Sequence, residues 1–296
     1  MSLFFDQVLN GVSSGVVYAS VALALVLIFR TTGLLNFAQG EMALFSTFIT
    51  YQFTEAGFGI WTALVLSMLV AFIGGGLIER VVIRPVEGAH NPLNVVIVTL
   101  GMFLAINALA GYLFIKPGKE ALQMPLLFPK GEFAFIGIQK ATAGRAGVLV
   151  AECVLLFLLL QKTKVGLALR AVSSNPESAK LVGINTGNML MLGWALAAAI
   201  GAVAGTLAAS RGTGSFDTSL MQQVLVYAFA AAALGGFDSP LGAVVGGMIV
   251  GIADSLTIQY VGFLDGIALV VPFVLILVVL LVRPNGLFGR NIVERV

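Results

Sequence analysis

Charge, cysteine and histidine are all scarce in this chain. Of its 296 residues only 10% are charged, one is cysteine (Cys153) and one is histidine (His90). A Cys/His zinc cluster, a disulfide framework and a Cys–His nucleophile pair each need more of these residues than the chain holds. Acidic and basic residues nearly balance, 14 against 16, for a net charge of +2, so nothing points to a nucleic-acid surface. No G-x-x-x-x-G-K-[ST] phosphate loop occurs: Lys119 follows Gly118, but Glu120 stands where Ser or Thr is needed. Any ATP hydrolysis must therefore come from a partner. Residues 1–7 lack the basic stretch of a cleavable leader, so the first apolar run is expected to stay as a span.

What the chain has instead is apolar surface. It is 59% hydrophobic, with a mean hydropathy of +1.03. One soluble core of this size could not bury that fraction, so lipid must cover the rest. The 35 glycines agree, because small residues let membrane helices approach closely, whereas a soluble helix loses stability at each one. A span needs about 20 mainly apolar residues. Such runs lie near 8–29, 34–53, 59–82, 93–115, 146–161, 189–209, 222–236, 241–261 and 264–282. The second opens on a polar stretch and the seventh is short, so the reading is an all-α polytopic membrane protein with eight or nine crossings and a single transmembrane domain, 1–296.

Lys/Arg placement gives the orientation. With nine crossings, ten of the 16 basic residues fall on one side, among them Arg30, Arg80, Arg84, Lys162, Lys164, Arg170, Lys180 and Arg283. The other six are Lys116, Lys119, Lys130, Lys140, Arg145 and Arg211. This places the C-terminus in the cytoplasm and the N-terminus outside. The loop 116–145 is then a small extracytoplasmic cap, with three prolines and a strand-like stretch at 133–138. Arg30-Thr-Thr-Gly33 and Arg211-Gly-Thr-Gly214 echo each other, each after an apolar run and before a polar segment. Four residues are too few to separate a repeat from coincidence, and coincidence is the expectation.

The connection 162–188 is the longest that looks ordered. Asn175 can cap a helix, Pro176 suits its first position, Glu177 complements the N-terminal dipole and Gly183 suits the left-handed position after the last turn. A short helix of about two turns follows from this. Taken alone it could be an ordinary capped connector. However, Thr163, Gly166, Ala168, Arg170, Ala171, Asn175, Ala179, Gly183, Ile184 and Asn185 resemble the coupling-loop pattern of the branched-chain amino acid ABC permeases. The stretch Gly15–Ala19 with Ile28–Glu41, the turn Leu234–Ala243 and the ending Val282–Gly289 are similar to three further signatures of that family, in its order. The length fits the smaller permease subunit, the LivH type. Phe45-Ser46 departs from the Leu-Gly pair common there.

The resemblance implies a permease of a binding-protein-dependent, ATP-driven importer in the bacterial inner membrane, carrying branched-chain or similar small apolar amino acids. It implies a second homologous permease, two cytoplasmic ATPase subunits and an extracytoplasmic substrate-binding protein as partners, with membrane lipid around them. In it the coupling loop, here Arg170, Ala171, Asn175, Pro176, Glu177, Ala179, Gly183 and Ile184, docks into the ATPase. The chain itself is expected to bind no cofactor and no metal and to catalyse nothing.

Intramembrane polar residues are the candidate pathway, since a charge at mid-bilayer is costly unless it faces a cavity or a partner. Asn36, Gln39, Glu41, Asn107, Gln222 and Asp254 form this set. Asn36 and Gln39 share a helical face, and the alternative for them is an interfacial helix start. For Asn107 it is interhelical hydrogen bonding. Glu152 lies seven residues beyond Arg145 on one face, which suggests a structural role. His90 is expected in a solvated loop, and Pro272 is expected to kink the last span. Two other classes compete. An ion-coupled carrier would need Asp254 as its coupling site but no coupling loop. A membrane enzyme would need convergent acid/base or metal residues that the chain lacks. The ABC class importing urea or short amides would need no more charge than this.

Overall fold

A computed structural model describes residues 3–87, 93–116, 118, 120–133, 138–262, 267 and 269–289; His90 and most of the strand-like stretch at 133–138 lie outside them. Each of the nine apolar runs contains a helix among the described residues. These helices are α1 (Leu3–Thr32), α2 (Gln39–Glu55), α3 (Ile60–Ile78), α5 (Leu93–Phe114), α6 (Lys140–Lys162), α9 (Thr186–Ala209), α10 (Leu220–Gly235), α11 (Pro240–Tyr260) and α12 (Val270–Val282). Between them lie α4 (Arg84–Glu87), α7 (Lys164–Ser174) and α8 (Pro176–Leu181). A π-helical turn at Glu79–Ile83 joins α3 to α4. Two short strands, β1 (Leu122–Gln123) and β2 (Ser215–Phe216), pair antiparallel.

Among the described residues six helices are long and apolar enough to cross a membrane: α1, α3 with its extension, α5, α6, α9 and α11. The expected eight or nine crossings thus depend on α2, α10 and α12, whose lengths are 17, 16 and 13 residues. The kink expected at Pro272 does not arise. The helix begins at Val270, so Pro272 stands in its first turn, where a missing N–H breaks no helical bond.

The closest helix–helix contacts are made by small residues. α1 lies against α11 through Gly11, Gly15, Gly247 and Gly251. A Cβ on Gly11 would come within 2.6 Å of the Ile252 Cα, so only glycine lets these backbones approach so closely. The contacts repeat. α1 packs on α11 as α9 packs on α3; α10 joins α11 to α1 as α2 joins α3 to α9; α12 leans on α10 as α5 leans on α2. The set α1, α2, α3, α5 therefore recurs as α9, α10, α11, α12, and the pairs α1–α9 and α2–α10 meet in the middle.

The two copies run in opposite directions, since the end of α1 at Thr31 meets the start of α9 at Gly193. The turns confirm the correspondence. Gly33 and Gly214 both take left-handed φ, 71° and 81°. Two residues ahead of each following N-cap, Asn36 Oδ1 accepts the Ala38 N–H at 3.0 Å and Asp217 Oδ1 accepts the Ser219 N–H at 2.7 Å. The Arg30/Arg211 echo is thus an inverted repeat, not coincidence. Its sequence trace is short because only the turn needs specific residues, while the helices need only be apolar and small.

The connections gather at two ends. At one, the Ser173 hydroxyl donates to the Arg30 carbonyl, Arg84 reaches Gly187, and the Leu287 and Phe288 amides donate to Leu234 and Gly235. At the other, Met124 donates to the Gly214 carbonyl beside the β1–β2 pair, Glu132 bridges Gln139, and Gln7 meets Gln259.

Candidate functional site

Of the six candidate pathway residues, five come together around the start of α2. Glu41 is fully buried, and its Oε2 accepts from Asn107 Nδ2 on α5 at 2.9 Å. The same amide donates to the Thr218 carbonyl ahead of α10 at 2.8 Å. Gln222 faces the Glu41 carboxylate, yet Glu41 Oε1 is buried without a hydrogen-bond partner. Glu41 and Gln222 are equivalent positions of the repeat, so α2 and α10 present their matching polar residues to each other. Asn36 and Gln39 do other work. Asn36 closes its turn and donates to Gln39 Oε1 at 3.3 Å, while Gln39 Nε2 donates to the Ala197 carbonyl of α9 at 3.0 Å. A Cβ on Gly201 would sit 3.0 Å from that Gln39 nitrogen. Beside them, Phe45 and Ser46 line an apolar cavity of about 250 Å³ between α2, α3, α5 and α9, and the Ser46 carbonyl accepts from Ser67 at 2.7 Å.

Asp254 stands apart from this set. Its Oδ1 accepts from the Tyr227 hydroxyl at 2.9 Å, and Tyr227 stacks on Tyr18 with ring centroids 4.6 Å apart. Arg211 acts electrostatically on both Asp254 and Tyr18 and donates to Ser14 Oγ at 2.7 Å. Asp254 thus joins Tyr18 and Tyr227 between α1, α10 and α11, while the other five candidates gather around Glu41. Nothing in the residue pattern marks Tyr18 and Tyr227 as companions of Asp254, because each reads as one more aromatic in an apolar run.

Arg145 and Glu152 do share a face, and both meet α1. Arg145 Nη1 donates to Ser13 Oγ, and the Ser20 hydroxyl donates to the Glu152 carboxylate at 2.7 and 2.9 Å. The seven-residue step is the same on both helices, so α1 and α6 run parallel. Glu79 pairs with Arg84 at 3.0 Å rather than with its neighbour Arg80.

The connection 162–188 holds two helices, where one was expected. Thr163 caps α7: its side chain accepts the Gly166 N–H at 2.9 Å and donates to the Leu159 carbonyl at 2.6 Å. Gly166 lets α7 fold back on α6, since a Cβ there would lie 2.1 Å from that carbonyl oxygen. Leu169 and Val172 bury the inner face of α7, and this spacing of three after a Thr cap was the legible signal. Arg170 Nη1 donates to Gln161 Oε1 at 2.9 Å. The Ala171 carbonyl accepts the Asn175 amide, ending α7. Asn175 Oδ1 then accepts the Ser178 N–H at 2.8 Å with Pro176 first in α8, Glu177 exposed in the first turn and Ala179 buried. Gly183 takes φ 85°, and the Ile184 amide returns to the Ala179 carbonyl at 3.0 Å, closing the helix. The α8 tip leaves Leu181 and Val182 88% and 76% exposed.

Residues 7–280 match the family described as "Branched-chain amino acid transport system / permease component". The high-affinity branched-chain amino acid transport system permease protein LivH of Escherichia coli K12 is 31% identical, with 99% of this chain and 98% of that protein covered. LivH of Salmonella typhimurium is 30% identical over the same shares. The corresponding protein BraD of Pseudomonas aeruginosa is 30% identical, again with 99% of this chain and 98% of that protein covered. Among solved structures, PsaBC from Streptococcus pneumoniae in complex with Fab is a remote likeness, with TM-score 0.48 and 14% identity over 96% of this chain and 93% of that one. A match over nearly the whole chain, on an apolar helical fold, shows that this chain belongs to the branched-chain amino acid transport system permease family and is a multi-pass ABC transporter permease.

Proposed function

We propose that the chain is one of two homologous permeases through which a binding-protein-dependent ABC importer moves branched-chain amino acids across the inner membrane. Its relatives along the full length are named for that substrate class, and the sparse charge of its helices suits a small zwitterion with an apolar side chain. Two cytoplasmic ATPase subunits would hydrolyse ATP, and an extracytoplasmic protein would deliver the substrate.

The observation that carries this reading is the α7–α8 unit. α8 is capped at both ends, as a rigid lever requires. Its exposed Leu181 and Val182 offer an ATPase an apolar tip. α7 is fixed to the end of α1 through Ser173 and to α6 through Gly166. A push on the tip is therefore delivered to two core helices. A lone ion-coupled carrier has no use for such a lever.

Nine crossings accord with the packing. α1 and α6 run parallel, which requires an odd number of crossings between them, and α2, α3 and α5 supply three. The register steps Gln39–Ala197 and Gly205–Thr47 make α2 and α9 parallel, as nine crossings require. The end that carries Arg30, Arg84, Lys162, Lys164, Arg170, Lys180 and Arg283 then faces the cytoplasm. The β1–β2 pair and the described residues between α5 and α6 then lie at the opposite, extracytoplasmic end as the cap, while 140–145 belong to α6.

Two measurements test the reading. Labelled leucine should accumulate in proteoliposomes holding both permeases, both ATPases and the binding protein, at fixed ATP and with an ionophore present. Accumulation that needs an ion gradient instead would overturn the pump. In spheroplasts of a Cys153→Ala background, Glu120→Cys should react with an impermeant thiol reagent and Ser174→Cys should not. The reverse pattern would invert the topology and remove α8 from the ATPase side.

A further inference from the structure

At the capped end a polar cavity of about 320 Å³ opens between residues 126–132, the start of α6 with Gln139 before it, and the turn after α9. Its walls include Phe128, Lys130, Glu132, Gln139, Arg145 and Ser210. Arg145 is the unusual member. It is 7% exposed, its Nη1 is held by Ser13, and its Nε is buried with no acceptor. No carboxylate among the described residues forms an ion pair with it. Another cation, Arg211, acts on it, one residue from the cavity wall at Ser210 and Gly212. Burying a guanidinium without a counter-charge and beside a like charge is costly, which marks the group as a candidate ligand anchor.

We propose that this cavity is a carboxylate-binding site, with the Arg145 guanidinium as its anchor and Arg211 adding to its field. A carboxylate matches the planar guanidinium fork, and a space of this volume admits a small organic acid but not a folded segment. Lys130 on the rim adds attraction, while Glu132 opposes an anion and sets how tightly it is held. Trp61 reports on the site, because its ring meets Phe128 edge-on with centroids 5.5 Å apart. Given the proposed function, the natural occupant is the carboxylate of the amino acid arriving from outside. That identification rests on the transport reading; the carboxylate chemistry does not.

The test uses the assembled importer in lipid nanodiscs and follows the tryptophan emission that Trp61→Phe removes. Acetate and leucine should change this emission saturably, whereas chloride at equal ionic strength and leucinamide should not. Arg145→Gln should weaken the acetate response by about tenfold or more. Because Arg145 also holds Ser13, the second variant lies on the rim and leaves that contact intact. Glu132→Gln should tighten acetate by about two- to fivefold. Acetate indistinguishable from chloride in the wild type, or unchanged acetate binding in either variant, would overturn the site. An acetate response without one to leucine would keep the site and overturn the amino acid as its occupant. Leucine uptake with no carboxylate response would do the reverse, leaving the transport reading intact without this site.

Discussion

The turn after α1 and the turn after α9 have one backbone and two chemistries. Both pass through a left-handed glycine, both close on an Asx side chain, and both lead into a helix whose third residue points toward the other copy. The first turn is packed with buried polar groups, Asn36, Gln39 and Glu41, and it sits where α7 docks on Arg30. The second keeps Asp217 in the open and sits where the β1 segment docks on Gly214. The repeat thus fixes geometry, and what lands on each copy fixes its role. One end meets the proposed lever and the other meets the cap.

The largest break in this comparison comes from loosening what docks on the first turn. Replacing Asn175-Pro176-Glu177 with Gly-Gly-Gly removes the α8 cap and its fixed first position while leaving α7 on Arg30. Coupled leucine uptake in proteoliposomes should be abolished while the ATPases continue to turn over. Unchanged uptake would detach α8 from the mechanism. Next in size is the residue that makes the two copies unequal, Glu41. Glu41→Leu takes away the buried acceptor of the Asn107 amide and should cost roughly 2–5 kcal/mol, seen as a lower melting temperature in detergent. Glu41→Gln makes the position match Gln222, keeps an acceptor and should cost far less. Equal losses in the two variants would mean that the charge itself is required.

A smaller effect separates the glycines. Gly33→Ala meets open space and incurs only the left-handed penalty, about 1–2 kcal/mol. Gly214→Ala incurs the same penalty and also drives its Cβ to 2.3 Å from the Met124 carbonyl oxygen. It should therefore melt distinctly lower than Gly33→Ala, and the difference measures how firmly the cap segment holds the second turn. Equal melting temperatures would mean that the β1 segment yields freely.

Much of this architecture was legible because membrane helices advertise themselves by length and composition alone. The nine runs, the Asn175–Pro176 start and the Gly183 stop each rest on a local rule, and local rules survive in a single sequence. The inverted repeat was nearly invisible, since an apolar helix tolerates almost any apolar residue and only Gly33/Gly214 and Asn36/Asp217 carry the backbone signal. α7 was missed for a related reason. Its cap was read as part of a motif, and the fold-back that Gly166 permits is a tertiary fact. The pathway set was grouped by polarity, which cannot tell that α11 carries Asp254 away from Glu41 to the Tyr18–Tyr227 stack.

The smallest expected effect concerns that separated carboxylate, and it sharpens the contrast with Glu41. Asp254 accepts one hydrogen bond from Tyr227 and faces the positive field of Arg211. Asp254→Asn keeps an oxygen for the Tyr227 hydroxyl and loses only the charge. The change should therefore cost about 0.5–1 kcal/mol, a two- to fivefold drop in uptake rate. If ATP drives transport through the α7–α8 lever, no ion need bind a carboxylate in the cycle. Residual uptake in Asp254→Asn should then still require ATP and the binding protein, and an ionophore should leave it unchanged at fixed ATP. A coupling carboxylate would behave otherwise: wild-type uptake would collapse with the gradient, and the variant would transport nothing whatever the ATP supply. Labelled leucine accumulation in proteoliposomes, with and without the ionophore, decides between the two. Gradient-dependent uptake lost on this one substitution would move the energetic centre of the protein from the lever to Asp254, and the repeat would then be read as the frame of a carrier.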